Sequence, residues 1–176
     1  TDVLEEPVKK PLASLVAVLL FLGCRSARPV LFEKDGDYGY KTASGKVLIP
    51  PQYLLATEFN RYGRAFVLHP RKREWIMINE KGDVLVTMFN FDNGPDGFEE
   101  GLARFVEGGR MGFVDERGVI RIPARYEFAY PFEEGRARVG KGFRVEKVGE
   151  YSLMKGGLWG EIDRKGNLVK PYRPVK

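Results

Sequence analysis

Short runs of alternating hydrophobic and polar residues, each interrupted by a polar turn, recur between residues 31 and 172. In residues 112–122, β-branched and aromatic residues flank a polar turn that ends in Gly118. A glycine at this place can adopt the left-handed conformation that closes a hairpin through a type I turn and a bulge. The pattern therefore predicts β-hairpins, with structural turn glycines at Gly45, Gly82, Gly118 and Gly166.

A second pattern follows 17 to 19 residues after three of these turns, where another glycine precedes an alternating strand. Because successive side chains of a strand point to opposite faces, we expect the small and apolar positions to face the core and the intervening arginines to face away from it. The core positions are Ala65, Val67, Ala103, Phe105, Ala137 and Val139, and the arginines are Arg64, Arg104, Arg136 and Arg138. Pro50 and Pro123 have no N–H to donate, so we expect them to end their strands at a sheet edge.

The two patterns together form an internal repeat. Residues 111–126 match residues 38–53 position by position, including an aromatic–glycine or Met–Gly pair, an Ile-Pro pair and a final tyrosine. A shorter copy opens at Trp159, and a degenerate copy at Trp75 lacks the first glycine. The turn glycines lie 37, 36 and 48 residues apart, so the last interval contains an insertion of about a dozen residues. Such units cannot bury their own apolar faces and must stack on one another.

This succession resembles the tryptophan–glycine (WG) repeat of bacterial proteins, and Trp159-Gly160 is a literal Trp-Gly pair. The resemblance implies an all-β fold of tandem β-hairpin repeats, about three and a half WG-type units, in an open twisted or solenoid-like array. We place the repeat domain at residues 31–172, with units at about 31–73, 74–110, 111–157 and 158–172. The resemblance also implies a binding or scaffolding role at or outside the cell surface.

An uncharged run at residues 11–23 follows Lys9 and Lys10 and ends at Cys24. A basic flank and an apolar run of this length describe a secretory signal, because a membrane-spanning helix needs about 20 residues. Leu22-Gly23-Cys24 resembles the lipobox of bacterial lipoproteins, which implies cleavage before Cys24 and a lipid on that cysteine. We therefore expect a signal peptide at residues 1–23 and a cell-envelope protein, lipid-anchored or secreted. The alternatives are a buried apolar segment with a core cysteine, and a cytoplasmic protein.

The composition limits the chemistry that the chain can perform. The single cysteine excludes an intrachain disulfide, and any histidine-dependent catalysis would have to use His69. Two carboxylate pairs, Glu99-Glu100 and Glu133-Glu134, could serve a glycosidase, but they occupy equivalent repeat positions and we interpret them as structural turns. We expect no catalytic activity, no cofactor and no metal site. Calcium binding by the loop at residues 92–97 is the alternative to a simple turn.

The net charge of +5 is mildly basic, and the densest cluster is Arg71-Lys72-Arg73, which we interpret as a hairpin tip. We therefore expect a protein or glycan ligand rather than nucleic acid. The prediction is a non-catalytic binding or scaffolding protein of the bacterial cell envelope, held at the membrane by a lipid on Cys24. The alternatives are a cell-wall or polysaccharide hydrolase and a basic nucleic-acid-binding domain. The candidate binding residues lie in and beside the insertion: Phe143, Arg144, Tyr151 and Trp159.

Overall fold

The computed structural model describes residues 28–148 and 151–174. This part of the chain consists of strands and turns, which confirms the all-β class, and it includes no helix long and apolar enough to cross a membrane. The predicted signal segment and Cys24 lie outside the described residues. The strands are β1 (Val30–Lys34), β2 (Asp37–Lys41), β3 (Val47–Tyr53), β4 (Leu55–Ala56), β5 (Arg64–Leu68), β6 (Trp75–Asn79), β7 (Val84–Met88), β8 (Asn90–Phe91), β9 (Gly94–Pro95), β10 (Leu102–Glu107), β11 (Arg110–Asp115), β12 (Ile120–Tyr126), β13 (Phe128–Ala129), β14 (Arg136–Val148), β15 (Tyr151–Asp163) and β16 (Leu168–Pro174).

Twelve of these strands form four antiparallel three-stranded meanders, each built on one of the predicted hairpins. Unit 1 consists of β1–β3, unit 2 of β5–β7, unit 3 of β10–β12 and unit 4 of β14–β16. The strand that follows the second glycine of the repeat is the first strand of each of units 2 to 4. The prediction of tandem hairpin repeats is therefore confirmed, and β16 makes the last copy a full meander.

The hairpin turns are built as the residue pattern requires. Gly118 has a φ of 77°, its N–H donates to the Asp115 carbonyl at 2.8 Å, and the Asp115 N–H donates to the Val119 carbonyl at 3.0 Å. The Asp115 side chain accepts the N–H groups of Arg117 and Val119, both at 2.9 Å. Asn79 and Asp163 accept the equivalent pairs of amides in their own turns. A side-chain acceptor at this place thus holds the turn of three units.

Two of these turn side chains, Asp115 and Asp163, are carboxylates, and they make the free energy of unfolding depend on pH. Hydrogen bonds from Asn167 lower the pKa of Asp163. For Asp115, burial favours the neutral form, but the hydrogen bonds from Val119, Arg121 and Arg117 together outweigh it and lower the pKa. A carboxyl with a lowered folded-state pKa stabilises the fold above its unfolded pKa of about 3.9, and that contribution is lost as the pH falls through the folded value.

We expect the free energy of unfolding to fall as the pH drops below about 4, and the double variant Asp115→Asn/Asp163→Asn to lose less over that range than the wild type. Asparagine preserves the turn, as Asn79 shows in unit 2, but it does not titrate. Urea unfolding between pH 2.5 and pH 7 measures the effect. An identical pH dependence in wild type and variant would contradict it.

Alternate residues of the inner strands enter different cores, one between each pair of consecutive units. In β6, Ile76 and Ile78 pack between units 1 and 2, whereas Trp75 and Met77 pack between units 2 and 3. This explains why β6 is apolar along most of its length rather than alternating. The predicted core positions in β5, β10 and β14 are confirmed, because all six are at most 3% exposed: Ala65, Val67, Ala103, Phe105, Ala137 and Val139.

The prolines lie inside edge strands rather than at their ends, so the prediction that they end the strands is wrong. Met111 pairs with Tyr126 and Phe113 pairs with Ile122, so three residues of β12, including Pro123, lie opposite one residue of β11. This bulge accommodates a proline without a broken ladder, and β12 is a sheet edge as predicted. Pro50 has the same setting in β3. In contrast, β7 contains no proline and pairs with β10, which joins units 2 and 3 in one seven-stranded sheet.

The bulge also explains why the second residue of the aromatic–glycine pair is a glycine. A Cβ on Gly112 would lie 2.5 Å from the Ile122 carbonyl oxygen and 2.7 Å from the Ala124 nitrogen, because the bulged strand crosses directly over this position. Gly39 is crowded in the same way by the bulged strand of unit 1. The degenerate unit 2 has Ile76 at this position, and its third strand has neither the proline nor this bulge. In unit 2, the glycine and the Ile-Pro pair are therefore absent together, because the glycine is needed only where the bulged strand passes over it.

Candidate functional site

No further unit of the described chain stacks on one face of unit 4, which we call the outer face. In unit 3, the positions that face unit 4 are Leu102, Phe113 and Ile122, each at most 5% exposed. Counted from the repeat glycines, the matching positions of unit 4 hold charged residues instead, namely Arg136, Glu161 and Lys170. Charged side chains at core-forming positions end an array of stacked units, because they prevent another apolar face from packing there. They also leave a flat charged surface.

The side of the outer face along β16 carries an excess of positive charge, because Arg138, Lys170 and Arg173 lie there with a single carboxylate, Glu161. Glu161 is its central carboxylate and lies 2.7 Å from the Lys170 ammonium and 3.6 Å from the Arg136 guanidinium. The hydrogen bond from Lys170, together with the charges of both cations, lowers the pKa of Glu161, so this group is ionised at neutral pH. Arg138 and Arg173 add two further cations, in register with Glu161 and Trp159. Glu99, Glu133 and Glu134 line a groove of about 1050 Å³ together with Arg136 and Arg138, so that groove is not positively charged overall.

Aromatic rings lie beside these charges. The guanidinium of Arg138 lies over the Trp159 ring, 4.4 Å from its centroid, which is a cation–π arrangement. The rings of Phe143, Tyr130 and Phe128 surround Trp159 at centroid distances of 4.9, 5.4 and 6.1 Å. Tyr130 is 45% exposed, and Trp159 also borders a second groove of about 490 Å³ along β16. Rings and cations are therefore presented together on one surface.

The insertion forms a hairpin in which β14 and β15 each have 13 residues, against five to seven in the strands of the other units. The Phe143 ring lies against Gly140 and Gly157, where a Cβ at either glycine would meet it. The Phe143 N–H donates to the Glu127 carboxylate at 2.9 Å, and Arg110 pairs with the same carboxylate at 3.0 Å. The hydrogen bond from the Phe143 N–H makes the largest contribution to the lowered pKa of Glu127, and the contact with Arg110 lowers it further. The base of the hairpin is thus tied to unit 3 and to the segment that joins units 3 and 4.

The structure brings together two of the four candidate binding residues, Phe143 and Trp159. Arg144 is exposed and pairs with Lys155 further along the hairpin. Tyr151 pairs with Val148 near the far end of the hairpin, away from Trp159, which pairs with Gly140 near its base. Sequence reasoning missed the part that Arg138, Glu161 and Lys170 play in this surface. Aligning unit 4 with unit 3 by their repeat glycines would have shown Glu161 and Lys170 at core positions, and that was the available signal. Arg138 aligns with Arg104, so the same comparison does not single it out.

The WG-containing-repeat family model matches residues 38–69 and 111–142. The chain is a WG repeat protein. Neither a curated protein nor a solved structure matches it. Both matched segments begin in or beside the second strand of one meander and end at or within the first strand of the next. Each sequence repeat therefore contributes to two consecutive structural units. The family indicates a repeat protein with a binding or scaffolding role and is not known as catalytic.

The carboxylate pairs of this WG protein lie in tight turns. Glu100 and Gly101 both have positive φ, and the N–H groups of Glu99 and Leu102 each donate to the other's carbonyl at 3.0 Å. Glu133 and Glu134 open an equivalent turn one unit later. The Glu100 carboxylate accepts the Gly135 N–H, which ties the two turns together. Among the described residues, no three His, Cys, Asp or Glu side chains are grouped as metal ligands would be.

The prediction that Arg104 faces away from the core is wrong. Its side chain is buried, and the residue is only 3% exposed. Asp96 is similarly buried, and its two carboxylate oxygens accept hydrogen bonds from the Arg104 guanidinium at 2.6 and 3.0 Å. A third donor of Arg104 reaches the Ala129 carbonyl at 3.0 Å. The loop at residues 92–97 therefore supplies an ion-pair partner, and both Asp96 oxygens that a calcium ion would need are engaged.

The histidine and the basic cluster form the turn between β5 and β6. Arg71, Lys72 and Arg73 are exposed, in agreement with the interpretation as a hairpin tip. The Nδ1 atom of His69 accepts the N–H groups of Arg71 and Lys72, both at 3.3 Å. The imidazole thus holds the turn.

Proposed function

We propose that this WG protein is a non-catalytic binding protein of the bacterial cell envelope, and that the outer face of unit 4 binds an acidic glycan. The observation that carries the proposal is the placement of Arg138 on Trp159, beside the exposed Tyr130 and the cation Lys170. Aromatic rings pack against the apolar faces of sugars, and guanidinium and ammonium groups pair with sugar carboxylates. A ring and a cation of this surface, Trp159 and Lys170, occupy the positions that Met111 and Ile122 hold in the core of unit 3.

The edge of unit 4 favours a glycan over an extended peptide. Peptides that add a strand to a sheet need a free edge with regular N–H and carbonyl groups. Pro171 and Pro174 remove two N–H groups from the edge strand β16, and register shifts interrupt its pairing with β15. The side chains of the outer face, rather than its backbone, are therefore the groups suited to recognition.

The envelope location rests on the signal-like segment and on the distance from Cys24 to the fold. A lipid on Cys24 would be separated from β1, which begins at Val30, by five residues. Unit 1 would then lie next to the membrane. Because the described units stack in chain order, the outer face of unit 4 would be the face of these four units that lies farthest from the membrane.

We expect full-length protein to bind polygalacturonate oligomers and to bind neutral dextran much more weakly. The double variant Arg138→Gln/Lys170→Gln should bind polygalacturonate at least about 10-fold more weakly, because two close cations are lost, and the difference should shrink at high salt. Isothermal titration calorimetry measures the affinities. The matched control is Arg71→Gln/Lys72→Gln, which removes the same charge from the exposed hairpin tip.

Three results would contradict the glycan assignment. Equal losses in both double variants would show a non-specific charge effect, and tighter binding to duplex DNA would favour the nucleic-acid alternative. Release of new reducing ends from polygalacturonate, abolished by Glu133→Gln, would favour the hydrolase. The envelope assignment has a separate test. Incorporation of labelled palmitate into the wild type and not into Cys24→Ala supports it, and no incorporation overturns the lipid anchor.

A further inference from the structure

A pair of aromatic rings recurs between the second strand of a unit and a phenylalanine three or four residues before the second glycine of the repeat. Tyr40 and Phe59 have ring centroids 4.5 Å apart in the core of units 1 and 2, and Phe113 and Phe132 are 4.7 Å apart in the core of units 3 and 4. All four rings are at most 5% exposed. The pair is therefore a regular part of the interface between consecutive units.

The interface between units 2 and 3 lacks this pair. Met77 occupies the position of Tyr40 and Phe113, five residues before the turn glycine, and Phe98 occupies the position of the second ring. Phe98 is only partly buried and stacks on Phe66 instead, with the centroids 5.7 Å apart. A cavity of about 550 Å³, lined by Met77, Phe66 and Phe98, opens at this interface. Its size is within the usual range for small-molecule sites.

The rim of this cavity carries a cation without a carboxylate partner. Arg61 is paired with Glu116 at 2.7 Å. Arg64 donates from Nε to the Arg117 carbonyl at 2.7 Å and from Nη1 to the Tyr62 and Gly63 carbonyls, and within the described residues no carboxylate lies within 4.0 Å of it. Carbonyl groups orient the guanidinium but do not neutralise it. The remaining rim carboxylate, Glu58, is exposed, so water screens its charge.

We propose that the cavity between units 2 and 3 binds a small aromatic molecule that carries an anionic group, with its ring beside Phe98 and its anion toward Arg64. The ligand ring takes the place of the ring that Tyr40 and Phe113 supply in the other interfaces. This site is independent of the outer face of unit 4, from which it is separated by unit 3.

The test uses 1-anilinonaphthalene-8-sulfonate, which has fused rings and a sulfonate and fluoresces when its rings leave water. We expect saturable binding of one dye per full-length chain. Met77→Phe restores the missing ring and should weaken binding at least about 10-fold without lowering the melting temperature. Phe98→Leu should weaken binding several-fold, and Phe91→Leu, which alters an exposed phenylalanine elsewhere, should leave it unchanged. Binding of polygalacturonate should be unaffected by all three changes.

The charge requirement is tested with N-phenyl-1-naphthylamine, which has the same rings without the sulfonate. The wild type should prefer the sulfonate about 10-fold, and Arg64→Gln should abolish that preference. Equal affinity of the wild type for the two dyes would overturn the anionic assignment. The absence of saturable binding, or full binding by a folded Met77→Phe protein, would overturn the site. If Met77→Phe does not fold, unchanged binding by Phe98→Leu overturns it equally.

Discussion

Replacing Asp96 by alanine is expected to destabilise the protein by about 3–5 kcal/mol, because the change leaves the Arg104 guanidinium buried without a counter-charge. Asp96 and Arg104 are 4% and 3% exposed, and three hydrogen bonds from the backbone N–H, Nε and Nη2 of Arg104 end on the Asp96 carboxylate. Alanine removes all three acceptors. Urea unfolding followed by circular dichroism measures the loss.

A double replacement separates the penalty of an unpaired charge from the value of the pair. Asp96→Leu/Arg104→Met removes both charges and keeps an apolar filling, so it should be more stable than Asp96→Ala by about 2 kcal/mol or more. Phe89, whose ring lies 4.6 Å from the guanidinium carbon, can pack against the methionine. A double variant no more stable than the single variant would show that the pair itself, rather than its desolvation, decides the stability.

Replacing Gly112 by alanine is expected to destabilise the protein by about 3 kcal/mol or more, because a methyl group there overlaps atoms that cannot move away easily. The new Cβ would lie 2.5 Å from the Ile122 carbonyl oxygen, 2.7 Å from the Ala124 nitrogen and 2.6 Å from the Phe105 ring. Two of these contacts are backbone atoms of the bulge that holds Pro123. The same urea titration measures the effect.

The matched control is Gly97→Ala, because Gly97 has no positive φ and an added Cβ there would meet nothing within 4 Å. We expect this variant to stay within about 0.5 kcal/mol of the wild type. A Gly112→Ala protein as stable as the control would contradict the explanation of the second letter of the WG motif, since it would show that the bulged strand can shift away.

The repeat and its turns were predictable because their determinants lie close together in the chain. Asp115 and Gly118 belong to one turn, and the alternation of Ala103 with Phe105 belongs to one strand. Such signals act through local backbone geometry and through the period of side chains along a strand, which any sequence displays directly.

The candidate site was only half predictable. Phe143 and Trp159 stood out as aromatic residues in and beside an insertion, and the structure places their rings 4.9 Å apart. The charged neighbours did not stand out, because an arginine or lysine in a strand normally points to solvent and indicates nothing further. Their meaning comes from the comparison with Leu102 and Ile122, which occupy the same places where another unit follows.

By itself, the sequence determined the all-β class, the tandem repeat and the glycine turns, since each of these depends on residues a few positions apart. The tertiary structure alone decided that Arg104 is buried, because its partners Asp96 and Ala129 come from separate loops and strands. It also decided that proline-free β7 joins two units and that a cavity opens beside Met77. These outcomes depend on which neighbouring unit faces a residue, and stacking, rather than local pattern, sets that neighbour.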